Sequence, residues 1–361
     1  MNLREKHQGL GATVGGWALI IMLGLAFIGA PLAAQTNSGQ PQPLKPEPEP
    51  IKLRVGLLPI ADTILLHIAL KNGYFGQKGL MVQLIPFQST LEKDSAVLAG
   101  RLDGHFCEIS SAMVLRSQDH PYKVIASTSH TNPKARFFGL VSKPDSTVKT
   151  LAEARDQSLG VARQTIVDFL ADIFLERAHL PANHFQRRDI RKIPLRLQTL
   201  KAGQLDFSIF PEPLLSVAEK AGGRILADDR DLNMPLAAVA LRDDLAPKVA
   251  PAFRAALAQA VAYANANPAP TRDLMLEMGL IPKALAEDWS PPSYDPALVP
   301  YRLPDEKLFA DYVAWLVRNG VLRRPEDPGS LRIPPTYEET VDQISPEELS
   351  QIAKQKDSSA P

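Results

Sequence analysis

AVLAGRLDGHF at residues 96–106 and QTLKAGQLDFSIF at residues 198–210 are nearly the same text written twice. In each copy a helical pattern stops at a glycine, Gly100 or Gly203, where the missing Cβ lets the backbone turn left-handed. A leucine (Leu102, Leu205) then folds back as a plug, an aspartate follows, and an apolar run starts a strand. One such unit is a helix-to-strand return in an α/β domain. Two units in one chain predict two domains of the same kind.

The text on either side agrees. IKLRVGLLPI (51–60) alternates as a strand, TILLHIALKNG (63–73) reads as a helix closing on Asn72-Gly73, and MVQLIPF (81–87) is a second strand. Ser89-Thr90-Leu91-Glu92 has the spacing of a capping box and opens the helix that ends at Gly100. GHFCEI, KVIASTSH (123–130) and RFFGLVSK (136–143) give further strands. A second box, Thr150 to Glu153, precedes the strand SLGVA and a helix carrying DFLADIFLERAHL. After LDFSIF come the strand MPLAAVALRDDL, the Ala-rich helix VAPAFRAALAQAVAYANAN, and helices at TRDLMLEMG and DEKLFADYVAWLVRNG.

With 361 residues, 45% of them hydrophobic, the chain can bury one or two ordinary cores. Its 40 basic and 40 acidic residues cancel, which removes any electrostatic reason to expect nucleic acid as a partner. Arg4 and Lys6 precede the apolar run WALIIMLGLAFI and small residues at Leu32-Ala33-Ala34. Residues 1–34 are therefore expected to be a secretory signal peptide or an N-terminal membrane anchor. Residues 35–50, with prolines at 41, 43, 46, 48 and 50, read as a semi-rigid tether. The single cysteine, Cys107, permits neither an intrachain disulfide nor a multi-cysteine metal site.

VGLLPIADTILLHIALKNGYFGQKGLMVQLIPF (55–87), then LAGRLDG (98–104), then FPEPLLSVAEKAGG (210–223) resembles the solute-binding proteins of ABC importers, in the branch for nitrate, sulfonates, taurine and thiamine-pyrimidine precursors. The resemblance covers Ile51 to Leu322 and is most specific from Asn72-Gly73-Tyr74-Phe75 to Gly79-Leu80. It implies an α/β, two-lobed periplasmic-binding-protein clamshell of type II, each lobe a mixed sheet flanked by helices, with two hinge crossings. The expected division is 51–134 for the first part of lobe 1, 135–232 for lobe 2, 233–340 for the return to lobe 1 with C-terminal helices, and 341–361 for a flexible tail. The implied partners are a small-molecule solute and an ABC permease in the inner membrane. The protein is expected to be exported, to work as a monomer, and to need no cofactor or metal.

In open α/β sheets ligands sit at the carboxyl ends of strands, where loops lead into helix N-termini. That rule selects the candidates. Asp62 and Thr63 follow the first strand and are either ligand groups or helix caps. Gln88, Ser89 and Thr90 lead into the next helix, where Ser89 is already engaged by its capping box. Glu108 and Ser110 follow the strand of the first repeat, and Ser129 and His130 leave a strand at the first crossing. Arg163, Gln164 and Thr165 join a strand to a helix in lobe 2, with Arg163 suited to an acidic group and equally to a surface ion pair. Phe210 and Glu212 end the strand of the second repeat, so Glu108 and Glu212 are expected to face each other across one cleft. Together they favour a polar nitrogenous solute over nitrate.

No HExxH, GxSxG or GxxxxGK[ST] pattern is present, and the seven histidines are scattered. His105 and Cys107 share one face of a strand, but a small buried thiol explains Cys107 as well as a nucleophile does. The expectation is a binder and not an enzyme. Two alternatives stand beside it: an enzyme of the same two-lobed architecture acting on a pyrimidine or menaquinone precursor, and a membrane-tethered ligand sensor.

Overall fold

The computed structural model describes residues 49–87, 90–304, 306–322, 328–336 and 338–339. The N-terminal export segment, most of the tether, Gln88, Ser89 with its capping box, and the tail from 341 lie outside the described residues. Among the described residues no helix is long and apolar enough to cross a membrane.

The chain begins with β1 (Ile51–Leu57), α1 (Ile64–Lys71), α2 (Tyr74–Gln77), β2 (Leu80–Pro86), α3 (Thr90–Leu98), β3 (Gly104–Glu108), α4 (Ile109–Ser117) and β4 (Tyr122–His130). It crosses to β5 (Phe138–Ser142), β6 (Ser158–Val161), α5 (Ile166–Arg177), β7 (Gln186–Asp189), α6 (Ile193–Lys201), β8 (Phe207–Pro211), α7 (Leu214–Lys220) and β9 (Ile225–Asp228). It then returns through β10 (Pro235–Arg242), α8 (Ala246–Ala266), α9 (Pro268–Glu277), α10 (Glu306–Arg318) and α11 (Pro328–Leu331).

These strands form two five-stranded sheets, ordered β2-β1-β3-β10-β4 and β7-β6-β8-β5-β9. The two orders are the same plan. In each, three parallel strands (β2, β1, β3; β7, β6, β8) are followed by one antiparallel strand, β10 or β5, that also pairs with an outer strand. The repeated motif enters the middle strand of each sheet, β3 or β8. This is the α/β clamshell of two mixed sheets with flanking helices.

The repeat does the same work in both places. Leu102 and Leu205 are 1% and 2% exposed, and each fills a notch over a glycine of the neighbouring strand. A Cβ added to Gly56 would lie 2.5 Å from Leu102 Cδ1, and one added to Gly160 would lie 2.5 Å from Leu205 Cδ1. Asp103 accepts from the Arg54 amide at 2.9 Å, and Asp206 from the Ser158 amide at 3.0 Å. The same carboxylates reach the antiparallel side, Asp103 to Arg242 at 3.4 Å and Asp206 to Lys143 at 2.7 Å. Each Leu-Asp pair is thus a joint that ties the start of β3 or β8 to the strands on either side. Gly100 (φ 65°) and Gly203 (φ 71°) make the left-handed turn that precedes it.

Asn72-Gly73 closes α1 as expected, with Asn72 as its C-cap and Gly73 at φ 72° turning the chain into α2, whereas two other elements depart from the sequence reading. Thr150 places no side-chain bond on its short helix, although Glu153 accepts from the Lys149 amide at 2.9 Å. The edge strand β7, QRRD, has no apolar alternation to announce it.

Two crossings join the sheets, one after β4 and one before β10, and they are tied to each other. Thr131 N donates to Met234 O at 3.0 Å, and Met234 N donates to Thr131 Oγ1 at 2.9 Å. Asp229, fully buried, accepts from the Phe137 amide at 2.9 Å. Helix α10 supplies a further contact. Trp315 Nε1 donates to Asp172 of α5 at 2.6 Å, and the ring of Phe169 from α5 lies 4.0 Å from that of Tyr312.

Candidate functional site

A cavity of about 120 Å³ lies at the carboxyl ends of the parallel strands of both sheets. The first sheet contributes Ile60 and Asp62 after β1 and Cys107 and Glu108 from β3. The second contributes Ala162, Thr165 and Ile166 after β6 and Pro211 from β8. Most of the wall is apolar; the charged groups on it are Asp62, Lys93, Glu108, Arg191 and Arg196.

The α5 entrance is the most organised part of the wall. Gln164 sits at φ 67°, which turns the chain sharply into the helix. Thr165 caps it, its Oγ1 accepting from Val167 N at 3.2 Å and donating to Ala162 O at 2.8 Å. Glu108 reaches over from the other sheet and accepts from Ile166 N at 3.0 Å, with Ser110 Oγ donating to it at 3.5 Å. One carboxylate thereby links the end of β3 to the start of α5.

Burial sets the charge states. Asp62 is pushed up to about 7, by desolvation first and then by the Asp229 and Glu108 carboxylates. Glu108 is also raised by desolvation, an effect opposed by the Ile166 amide. Asp229, with Oδ2 unpartnered, is pushed up to about 7 by burial. Arg196 is fully buried and is drawn down to about 10 by desolvation. Its guanidinium donates to Ile190 O at 2.8 Å and Ile209 O at 3.3 Å, and lies 5.2 Å over the Phe210 ring.

Of the candidates read from sequence, Asp62, Thr90, Glu108 and Thr165 meet on this cavity. Gln88 and Ser89 lie outside the described residues. The others stand elsewhere, each for a visible reason. Thr63 is buried with its hydroxyl donating to Ile60 O at 2.7 Å, so it neither caps nor lines. Ser110 lies behind Glu108. Ser129 and His130 are buried in the first crossing, where the His130 ring nitrogen Nδ1 lies 2.7 Å from Thr131 O. Arg163 and Gln164 are exposed; Arg163 lines a broad groove against α10, and its amide goes to Asp189 at 3.0 Å.

Phe210 and Glu212 require correction as cavity groups. Phe210 faces the other side of its sheet, in a fully buried cluster with Leu200, Leu205 and Leu215. Glu212 binds Arg136 at 2.7 Å and the Ser216 hydroxyl at 2.7 Å, and borders a separate groove with Trp289 and Pro291. It therefore does not oppose Glu108 across the cavity.

Sequence reasoning missed Lys93, Arg191 and Arg196. For two of them a signal existed. Arg196 falls on the apolar stripe of α6 with Ile193, Leu197 and Leu200, and Lys93 on that of α3 with Ala96 and Val97. A cation at a core-facing helical position is costly to bury and marks a site worth inspecting.

The fold is that of the periplasmic binding proteins. Its likenesses include the ligand-binding component of an ABC-type import system from Staphylococcus aureus, with zinc bound (18% identity, 81% of this chain and 99% of that one, TM-score 0.63). They include the periplasmic aliphatic sulphonate binding protein SsuA from Escherichia coli (16% identity, 80% and 93%, TM-score 0.66) and DSZB in complex with biphenyl-2-sulfinic acid (13% identity, 81% and 99%, TM-score 0.60). None of the curated proteins matches the sequence. The chain belongs to the NMT1-like family, whose pattern matches residues 46–278. Among the described residues no group of histidine, cysteine and acidic side chains is arranged to hold a metal.

Proposed function

We propose that this protein is the extracytoplasmic solute-binding component of an ABC import system. It takes a small polar solute between lobes formed by 51–134 with 233–340 and by 135–232, closes about the two crossings, and delivers the solute to a permease in the inner membrane. The observation that carries this reading is the cavity walled by strand-end loops of both sheets, where Asp62 and Glu108 from one lobe meet Thr165 and Ile166 from the other. The neighbours named as import-system binding proteins support it. So does the apolar N-terminal run, a signal peptide or anchor ahead of a proline-rich tether, which suits an exported monomer.

A catalytic role for the cysteine on the cavity wall is disfavoured. Burial pushes the Cys107 thiol up to about 12, so it carries almost no thiolate at neutral pH. His105 is fully buried, with Lys93 Nζ 3.1 Å from its Nδ1.

The test is to purify the exported protein, identify by mass spectrometry whatever small molecule it carries, and titrate that compound and its relatives by calorimetry while following scattering. Saturable binding at one site with a fall in radius of gyration and no chemical change is expected. Turnover of the bound compound, or no binding across amines, pyrimidines, sulfonates, amino acids and inorganic anions, defeats the reading.

A further inference from the structure

Resting on that reading of the cavity, we propose that the group recognised in the solute is a nitrogen donor: an ammonium or comparable N–H cation on a small, largely apolar body, received by Asp62 and Glu108, with simple oxyanions excluded.

The exclusion follows from where the α5 entrance spends its donors. A helix N-terminus is a natural seat for an oxyanion because its first amides lack partners. Here those amides are taken by the protein. Arg163 N donates to Asp189 at 3.0 Å, Gln164 N to Asp168 at 3.1 Å, Ile166 N to Glu108 at 3.0 Å and Val167 N to Thr165 Oγ1 at 3.2 Å. The Glu108 carboxylate already occupies the place an incoming anion would take. Each cation on the wall also has at least one protein partner. Lys93 pairs with Asp94 and has His105 Nδ1 at 3.1 Å, Arg191 pairs with Asp189 at 3.2 Å, and Arg196 is held on two main-chain carbonyls, leaving only its Nε without a partner.

The acceptors are not spent. Asp62 projects from a short helical turn (Ala61–Thr63) that it does not cap, and it has no hydrogen-bond partner among the described residues. Asp229, fully buried, also has its Oδ2 without a partner, and its charge bears on Asp62 more than that of Glu108. Three cations, Lys93, Arg191 and Arg196, and two carboxyls, Asp62 and Glu108, line the cavity, and each of the cations has a protein partner. An N–H donor gives Asp62 the partner it lacks, whereas an anion at the α5 entrance meets the Glu108 carboxylate with the amides there already taken. The rest of the wall, with Ile60, Phe106, Phe138, Val167 and Leu236, suits an apolar body. A cavity near 120 Å³ accepts a molecule on the order of benzene in size.

The experiment titrates the exported protein, freed of any carried solute, with propylammonium and cyclopentylammonium as chlorides, and in parallel with nitrate, sulfate and propanesulfonate as sodium salts. The ammonium probes are expected to saturate one site and to displace the co-purifying solute, while the oxyanions do neither at the same concentrations. Asp62→Asn and, separately, Glu108→Gln should weaken ammonium binding on the order of ten- to hundredfold with unchanged circular dichroism. Two variants guard against a folding defect in either. Oxyanions that bind more tightly than the ammonium probes, or ammonium affinity unchanged in both variants, overturn the amine assignment and leave solute binding standing. Absence of binding by every compound in the wider panel overturns both.

Discussion

Asp62 is the residue on which pH acts most directly. Its native value of about 7 lies above the ordinary 3.8, so the unfolded chain gives up this proton first. The native state then holds more protons than the unfolded state between those limits, and stability falls as pH rises through that window. Asp229, also near 7, adds to the slope. The melting temperature of the empty protein is expected to decline from pH 4 to pH 7 by more than that of Asp62→Asn, a comparison thermal scans in matched buffers settle. At this scale the sequence was only partly legible. Asp62, Glu108 and Thr165 could be found because strand ends before helices are where ligands sit. Phe210 and Glu212 satisfied the same rule and still point elsewhere, because the direction of a side chain at a strand end depends on the sheet's pleat and on a partner, Arg136, distant in sequence.

At the scale of elements, the Leu-Asp joint makes sharp demands. Gly56→Ala and Gly160→Ala each drive a methyl to within 2.5 Å of a leucine δ-carbon, and each is expected to cost about 1–3 kcal/mol by overpacking. The double variant Gly56→Ala with Leu102→Ala should lose less than the two single losses combined, since the cavity left by one receives the methyl of the other. Urea denaturation of the four proteins of that cycle measures it. These joints were legible because every part of them is local: a glycine stop, a plug and an aspartate in four residues. Edge strand β7 was not, because Gln186, Arg188 and Asp189 face outward or sideways and its pairing with β6 is main-chain.

Across the whole molecule, the two crossings are bonded to each other and α10 adds a clasp from the C-terminal region to α5. Trp315→Phe keeps the ring but removes the donor to Asp172, whose carboxylate retains Arg187. The expected loss is about 1.5–3 kcal/mol of stability, the range for a hydrogen bond to a charged group. Scattering should also show a larger radius of gyration in the variant without solute than in the parent. An unchanged radius together with unchanged urea midpoint would remove the clasp from any role in lobe spacing. Nothing in DEKLFADYVAWLVRNG announced this contact, since helical periodicity names an apolar face without naming what it touches.

The matched strand plans also separate what must stay fixed from what is free to vary. Leu102 and Asp103 on one side, and Leu205 and Asp206 on the other, act at the starting ends of β3 and β8, while the cavity lies at the opposite, carboxyl ends of the same strands. One half of each strand is chassis and the other half is instrument. Rewriting Asp62, Glu108 and the α5 entrance for a different guest would therefore leave the Leu-Asp fastenings at the opposite ends of β3 and β8 untouched.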